Sequence, residues 1–354
     1  MSINKDVYDN RITDNALTAD DGRKLIEQAL NFIEQKYGWK AAGKKAIFRG
    51  LYYDSKKVGS HIVKVSRDAE KAVLKIQLRP LLFDEGNIIR RIESQNRSKL
   101  IRLPKIIDDQ PWNKNLGFGY LLFEDLSDLP NIWKGAVTDN VDRELQAQFI
   151  KEFRHQVLPI EPWFDLPVST AQEYYKKSFE HFRKIAESSK HKHVDVSQIN
   201  KNKSIYFKII DGLEFNPFHF THAHMSGDDV KYDPEKNQFI LMANLYWSFR
   251  ADDYELSFPV WVDIMHIRDK NIILDDVLSR INAWNSAWEQ SLKINLFSHQ
   301  QYWFNLLEKG ATTIILDLGA GEWLVNEIEE KSRLLEIWQE LFDWIVKEKF
   351  NQIV

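Results

Sequence analysis

Along Asp20–Lys36 the apolar positions Leu25, Ala29, Leu30 and Ile33 recur at the spacing of one helical face, and Asp20 or Asp21 is placed to cap its start. The period then changes. From Ala46 to about Gln77 the runs AIFRGLYY, SHIVKV and KAVLKIQL, separated by Gly50, Gly59 and the polar SRDAEK, predict three short strands. Helical spacing returns within Asp84–Leu100 through Ile88, Ile89 and Ile92. Pro104 precedes a strand at KII, and GFGYLLFEDL, residues 117–126, reads as a buried strand. Beyond Asp128 helix-like periodicity runs through Val141–Leu158, Thr170–Ser189, Ile273–Ile294, His299–Lys309 and Glu322–Lys349. One strand-rich interruption lies among these helices: residues 218–249 read as strand, polar loop, short strand, turn at Asp233-Pro234, and strand.

This order predicts an α+β chain in three parts: an N-terminal helical extension over 1–45, a small strand-rich lobe over 46–126, and a helical lobe over 127–354 carrying the 218–249 hairpin. Composition supports a sizeable core. The chain of 354 residues has 21 Phe, 12 Tyr and 12 Trp, against only 14 Gly and 10 Pro. It has no cysteine, which excludes disulfides, thiolate metal sites and cysteine nucleophiles and suits a reducing compartment. The expected location is the cytoplasm, because the polar, acidic N-terminus does not resemble a signal peptide and no apolar run is long enough to span a membrane. With 48 Lys+Arg against 52 Asp+Glu, the formal charge of −4 gives no footprint for nucleic acid or an anionic membrane.

A five-stranded lobe with one helix, followed by a helical lobe interrupted by a hairpin rich in His, Asp and Asn, is the plan of a two-lobed protein-kinase-like fold. From about Ala46 to Ile267 the chain resembles the aminoglycoside phosphotransferase and choline kinase group of small-molecule kinases. The resemblance implies ATP and Mg²⁺ as cofactors and a small-molecule hydroxyl as phosphate acceptor. It places the family's phosphate-holding lysine at Lys75 in AVLKI, paired with Glu85 or, failing that, Glu93, because a buried ammonium needs a fixed counter-charge. Gly59 and Ser60 in GSHIVKV correspond to the phosphate-covering hairpin, and Glu124 to Leu126 to the segment that binds the adenine edge through main-chain groups.

The most informative stretch is FTHAHMSGDDVKYDPEKNQFILMANLYW. By the resemblance His222 stands on the family's histidine, His224 on the aspartate that serves as base, Asp229 on the metal-binding asparagine, and Asn244 on the metal-binding aspartate. Asp263 in WVDIMHI resembles the structural aspartate that follows. Three of the four motif positions are changed. The Asn-to-Asp and Asp-to-Asn exchanges conserve formal ligand charge, so a divalent ion is retained as an expectation. A neutral imidazole can accept a hydroxyl proton, which leaves His224 as the candidate base. Asp263, Trp284, Trp288 and Glu289 are candidates for contact with a cationic or sugar-like acceptor.

Two other readings stay open. The changed pocket is also that of a pseudokinase, which binds nucleotide or a partner without turnover. The HxH at His222 and His224, with Asp228, Asp229 or His266 as further ligands, suits a metal-dependent hydrolase, although HxH arises easily by chance among ten histidines. A third motif, TIILDLGAGEW at 313–323, resembles the opening of S-adenosylmethionine methyltransferases. Only 33 residues follow its second glycine, too few for the sheet that motif requires, so a helix end and a new helix are expected there.

Overall fold

The computed structural model of the chain describes residues 17–42, 47–51, 54–80, 83–132, 143–165, 168–188, 196–225, 229–242, 245–265, 267, 269–313 and 328–354. Contacts divide the chain into two compact units: Met1–Pro130 with Lys231–Leu245, and Asn131–Val230 with Tyr246–Val354. Among the described residues no helix is long and apolar enough to cross a membrane.

The first unit is built on an antiparallel sheet. Its elements are β1 (Leu17–Thr18), α1 (Ala19–Tyr37), β2 (Lys40–Ala41), β3 (Ile47–Leu51), β4 (Asp54–Arg67), β5 (Glu70–Gln77), α2 (Glu85–Gln95), β6 (Ile101–Arg102), β7 (Ile106–Asn113) and β8 (Phe118–Glu124). The spine of the sheet runs β4-β5-β8-β7, while β1, β2 and β3 each pair with part of the 14 residues of β4. In β5 the period-two pattern sends Ala72, Leu74 and Ile76 into the core and Val73, Lys75 and Gln77 to the other face. Helix α1 lays Ile26, Ala29 and Ile33 against that core, beside Val63, Val65 and Leu122. Gly119 in β8 is obligatory for a different reason: a Cβ there would lie 2.6 Å from the Trp112 backbone nitrogen on β7.

Two helix ends differ from the sequence expectation. The cap of α1 is Thr18, not Asp20 or Asp21, because pairing of Leu17 and Thr18 with Val58 and Lys57 of β4 holds the chain extended up to Thr18. The Thr18 hydroxyl accepts from the Asp21 N–H at 3.2 Å and donates to the Asp21 carboxylate at 2.8 Å. Helix α2 starts at the Asp84 cap but stops at Asn96, short of Leu100. The Asn96 side chain donates to the Ile101 carbonyl at 2.7 Å and accepts from the Ser98 N–H at 2.9 Å, which turns the chain toward β6.

The second unit contributes α3 (Arg143–Glu152) with a π-helical extension to Val157, α4 (Ala171–Ser188), α5 (Val196–Gly212) and strand β9 (Phe218–His222). The chain then returns to the first unit, where strands β10 (Val230–Asp233) and β11 (Gln238–Leu241) form a hairpin whose β11 pairs in parallel with β6. After it come β12 (Trp247–Ala251), antiparallel to β9, then α6 (Tyr254–Met265), α7 (Leu274–Leu292), α8 (Gln300–Glu308) with a π-helical turn at Lys309–Thr313, and α9 (Ile328–Lys349). Tyr174, Tyr206, Trp288, Tyr302 and Phe304 are buried at its centre.

The expected 218–249 hairpin is therefore two separate pairings, and two helices were not anticipated. Helix α6 is buried on all sides and carries Pro259, so its sequence shows no amphipathic period. The Asn- and Lys-rich start of α5 hides its apolar face. In the 313–323 motif only Thr313 is described, as the last residue of the π-helical turn.

Candidate functional site

In the first unit the alternation of β5 turns Lys75 away from the hydrophobic core. Capping by Asp84, whose carboxylate accepts from the Asn87 N–H at 2.9 Å, starts α2 so that Glu85 is its first residue. The two meet: Lys75 Nζ donates to Glu85 Oε2 at 2.6 Å, with the side chains 21% and 12% exposed. Of the two glutamates offered by the sequence, it is Glu85 and not Glu93 that pairs with Lys75. A charge-assisted bond in this partly desolvated position fixes the ammonium and leaves two of its three N–H groups to other acceptors.

Gly59 and Ser60 lie inside β4, not at the tip of the β3–β4 hairpin. Arg49 pairs with Ser60 and Gly50 with Val58, so the register slips past Gly59, and the Gly59 carbonyl accepts from the Leu78 N–H at 3.1 Å. Glu124, at the end of β8, has its N–H donating to the Lys105 carbonyl at 3.1 Å. Its carboxylate accepts from the Lys105 N–H at 2.7 Å and forms an ion pair with Arg102, a partner that sequence spacing did not suggest. Leu126 is buried and its carbonyl accepts from the Leu129 N–H at 3.1 Å.

In the second unit the end of β9 and the loop after it hold two histidines with different roles. His222 is buried, packs edge-on against Trp247 with ring centroids 5.7 Å apart, and its Nδ1 accepts from the His224 N–H at 3.3 Å. His224 turns outward, with 42% of its side chain exposed. Its Nδ1 lies 2.6 Å from Asp229 Oδ2, and its ring sits against Tyr246 and Phe258, with centroids 4.9 and 5.3 Å away. The carboxylate makes Nδ1 the protonated nitrogen and leaves the Nε2 lone pair as the acceptor. The backbone of this loop is also fastened: the Ala223 N–H donates to the Tyr246 carbonyl at 2.7 Å, and the Ala223 carbonyl accepts from the Tyr254 hydroxyl at 3.1 Å.

Asn244, Asp228 and His266 lie outside the described residues. Among the described residues no three His, Asp or Glu side chains are gathered about one point. The expected acceptor contacts are differently placed: Trp284 and Trp288 are buried in the core, and Asp263, also buried, accepts from Trp284 Nε1 at 2.8 Å. Glu289 accepts from the Leu296 N–H at 2.8 Å. Trp284 and Trp288 form a packing stripe of α7 that Asp263 of α6 meets, and Glu289 is a local brace.

No protein-family model matches the sequence, and no curated protein matches it. Solved structures do. An aminoglycoside phosphotransferase, APH(4)-Ia, is similar over 92% of this chain and 99% of its own, with a TM-score of 0.57 at 10% identity. The fold is that of small-molecule phosphotransferases. An amicoumacin kinase in complex with AMP-PNP, Ca²⁺ and Ami matches over 95% of this chain and 100% of its own, with a TM-score of 0.56 at 12% identity. A microcompartment-associated aminopropanol kinase covers 90% of this chain and 98% of its own, with a TM-score of 0.55 at 9% identity. The chain thus has a two-lobed, kinase-like α+β architecture.

Proposed function

We propose that this protein is an ATP-dependent phosphotransferase that phosphorylates a hydroxyl of a small molecule. The observation that carries the reading is the Lys75–Glu85 ion pair, formed between strand β5 and helix α2 of a phosphotransferase-like unit. Structural neighbours in complex with ADP and hygromycin B, or with AMP-PNP, support nucleotide and small-molecule binding.

In this proposal ATP supplies the phosphoryl group. Lys75, held by Glu85, offers its remaining N–H groups to phosphate oxygens as a preplaced positive charge. His224 Nε2 takes the proton of the acceptor hydroxyl, and Asp229 keeps the ring in the tautomer that allows it. The backbone around Glu124 and Leu126 and the strand at Gly59 and Ser60 are assigned to the nucleotide. A hard divalent cation such as Mg²⁺ takes carboxylate and amide oxygens, a chemistry that the Asp229 carboxylate and the Asn244 amide fit. When bound, it neutralises phosphate charge.

The test is thermal unfolding of wild type and Lys75→Ala across an ATP titration, with and without Mg²⁺ or Mn²⁺, followed by an ADP-release screen of aminoalcohols and aminoglycosides. A ligand that binds the native state raises the melting temperature by mass action. A metal-dependent rise in wild type, lost in Lys75→Ala, with ADP release on adding one acceptor, is the expected result. A rise without ADP release for any acceptor identifies a pseudokinase. No rise in a folded sample overturns the nucleotide assignment.

A further inference from the structure

Lys309 opens the π-helical turn after α8 and is only 5% exposed, an expensive place for an ammonium. A methionine would fill the same volume without that cost. The compensation consists of Glu308, whose Oε2 lies 3.5 Å from Lys309 Nζ, and three aromatic faces of α6: Tyr254, Phe258 and Trp261, with centroids 4.9, 5.4 and 5.5 Å from the nitrogen. Glu308 is itself held by the π-helical turn, since the Thr312 hydroxyl lies 3.2 Å from its Oε1.

Two of these rings also touch the loop that carries His224. Tyr254 donates to the Ala223 carbonyl at 3.1 Å, and one helical turn later Phe258 packs on the His224 imidazole. Tyr246 also packs against that imidazole, and its Nδ1 is engaged by Asp229. Lys309 therefore lies behind both α6 contacts to the loop, and the Arg250 guanidinium, 5.0 Å from the Tyr254 centroid, flanks that one ring as well.

We propose that Lys309 is a positioning residue for His224: its ammonium sets the placement of Tyr254 and Phe258, and these set the loop and the imidazole plane. This rests on the assignment of His224 as the proton acceptor. A ring displaced by a fraction of an ångström from its acceptor loses rate steeply, with about 100-fold for 1 Å as the scale. Uniform binding of nucleotide is untouched.

The test compares Lys309→Met and Lys309→Arg with wild type, using the melting temperature for folding, the ATP-induced melting shift for nucleotide binding, the ¹H–¹⁵N signals of the His224 ring, and ADP-release kinetics. The expected result for folded Lys309→Met is an unchanged ATP-induced shift, a moved or broadened His224 signal, and kcat lowered about 10- to 100-fold at unchanged KM for ATP. Lys309→Arg, which keeps the cation, recovers part of both losses. An unchanged His224 signal in folded Lys309→Met overturns the proposal. Should wild type release no ADP, the phosphotransfer reading fails, and the His224 signal still decides the role of Lys309. If Lys309→Met does not fold, Tyr254→Phe, which removes one hydroxyl from the same chain of contacts, is read by the same signals; no change there overturns the proposal.

Discussion

Replacing Arg154 by methionine tests the electrostatic frame of the second unit. The guanidinium lies 2.7 Å from Asp253 Oδ1, 3.2 Å from Glu255 Oε1 and 3.2 Å from Asp252 Oδ1. Asp253 and Glu255 side chains are 3% and 1% exposed, so one cation serves two desolvated carboxylates. His299 Nδ1, 2.9 Å from Asp253 Oδ2, remains as a second partner for Asp253. Glu255 has no comparable side-chain hydrogen bond, with only the His219 charge and its own backbone N–H favouring its ionised form besides Arg154 among the described residues, so it bears most of the loss. Removing one member of a buried ion pair costs about 3–5 kcal/mol, a large share of the roughly 5–15 kcal/mol that stabilises a folded domain. Methionine keeps the apolar stem volume, so the loss reports charge.

The deficit depends on pH in a definite direction. Burial raises the Glu255 carboxyl above its ordinary range, with Arg154 opposing that rise. Without Arg154 the folded state binds this proton still more tightly than the unfolded state does, so acidification favours the folded variant through this group. Urea unfolding followed by tryptophan fluorescence, read as the difference between variant and wild type, is expected to show about 3–5 kcal/mol at pH 8, shrinking toward pH 5. A difference below about 1 kcal/mol, or one flat in pH, would refute the assignment of Arg154 as the compensating charge.

Ile33→Ala, which empties a fully buried site where α1 meets the sheet, is expected to destabilise the first unit by about 2–5 kcal/mol in denaturant titration. Gly119→Ala forces β7 and β8 apart and should lower the melting temperature although it adds a single methyl group. Burial lowers the Lys349 ammonium to about 8, so its protonation opposes folding at neutral pH and that penalty disappears as pH rises from about 8 toward the ordinary lysine value of 10.5. Lys349→Met should therefore gain most over wild type near pH 7 and lose that advantage by about pH 10.5, as followed by thermal unfolding.

Period-two alternation in KAVLKIQL was enough to separate Lys75 from the buried Ala72, Leu74 and Ile76, because a strand presents successive side chains to opposite faces whatever it packs against. The amphipathic stripes of α1 and α2 were legible for the same local reason. Tertiary structure decided the rest. Glu85 rather than Glu93 meets Lys75 because the Asp84 cap and the lie of α2 on the sheet set which turn faces the lysine. The contrast between buried His222 and outward His224 depends on where β9 ends, and alternation had placed both on one face. Helix α6, whose aromatic rings join Lys309 to the His224 loop, carries no amphipathic signal because it is buried all round. Local period reports which side of an element is covered; which charged groups meet inside the covered region depends on the packing of distant segments, and no spacing along the chain encodes it.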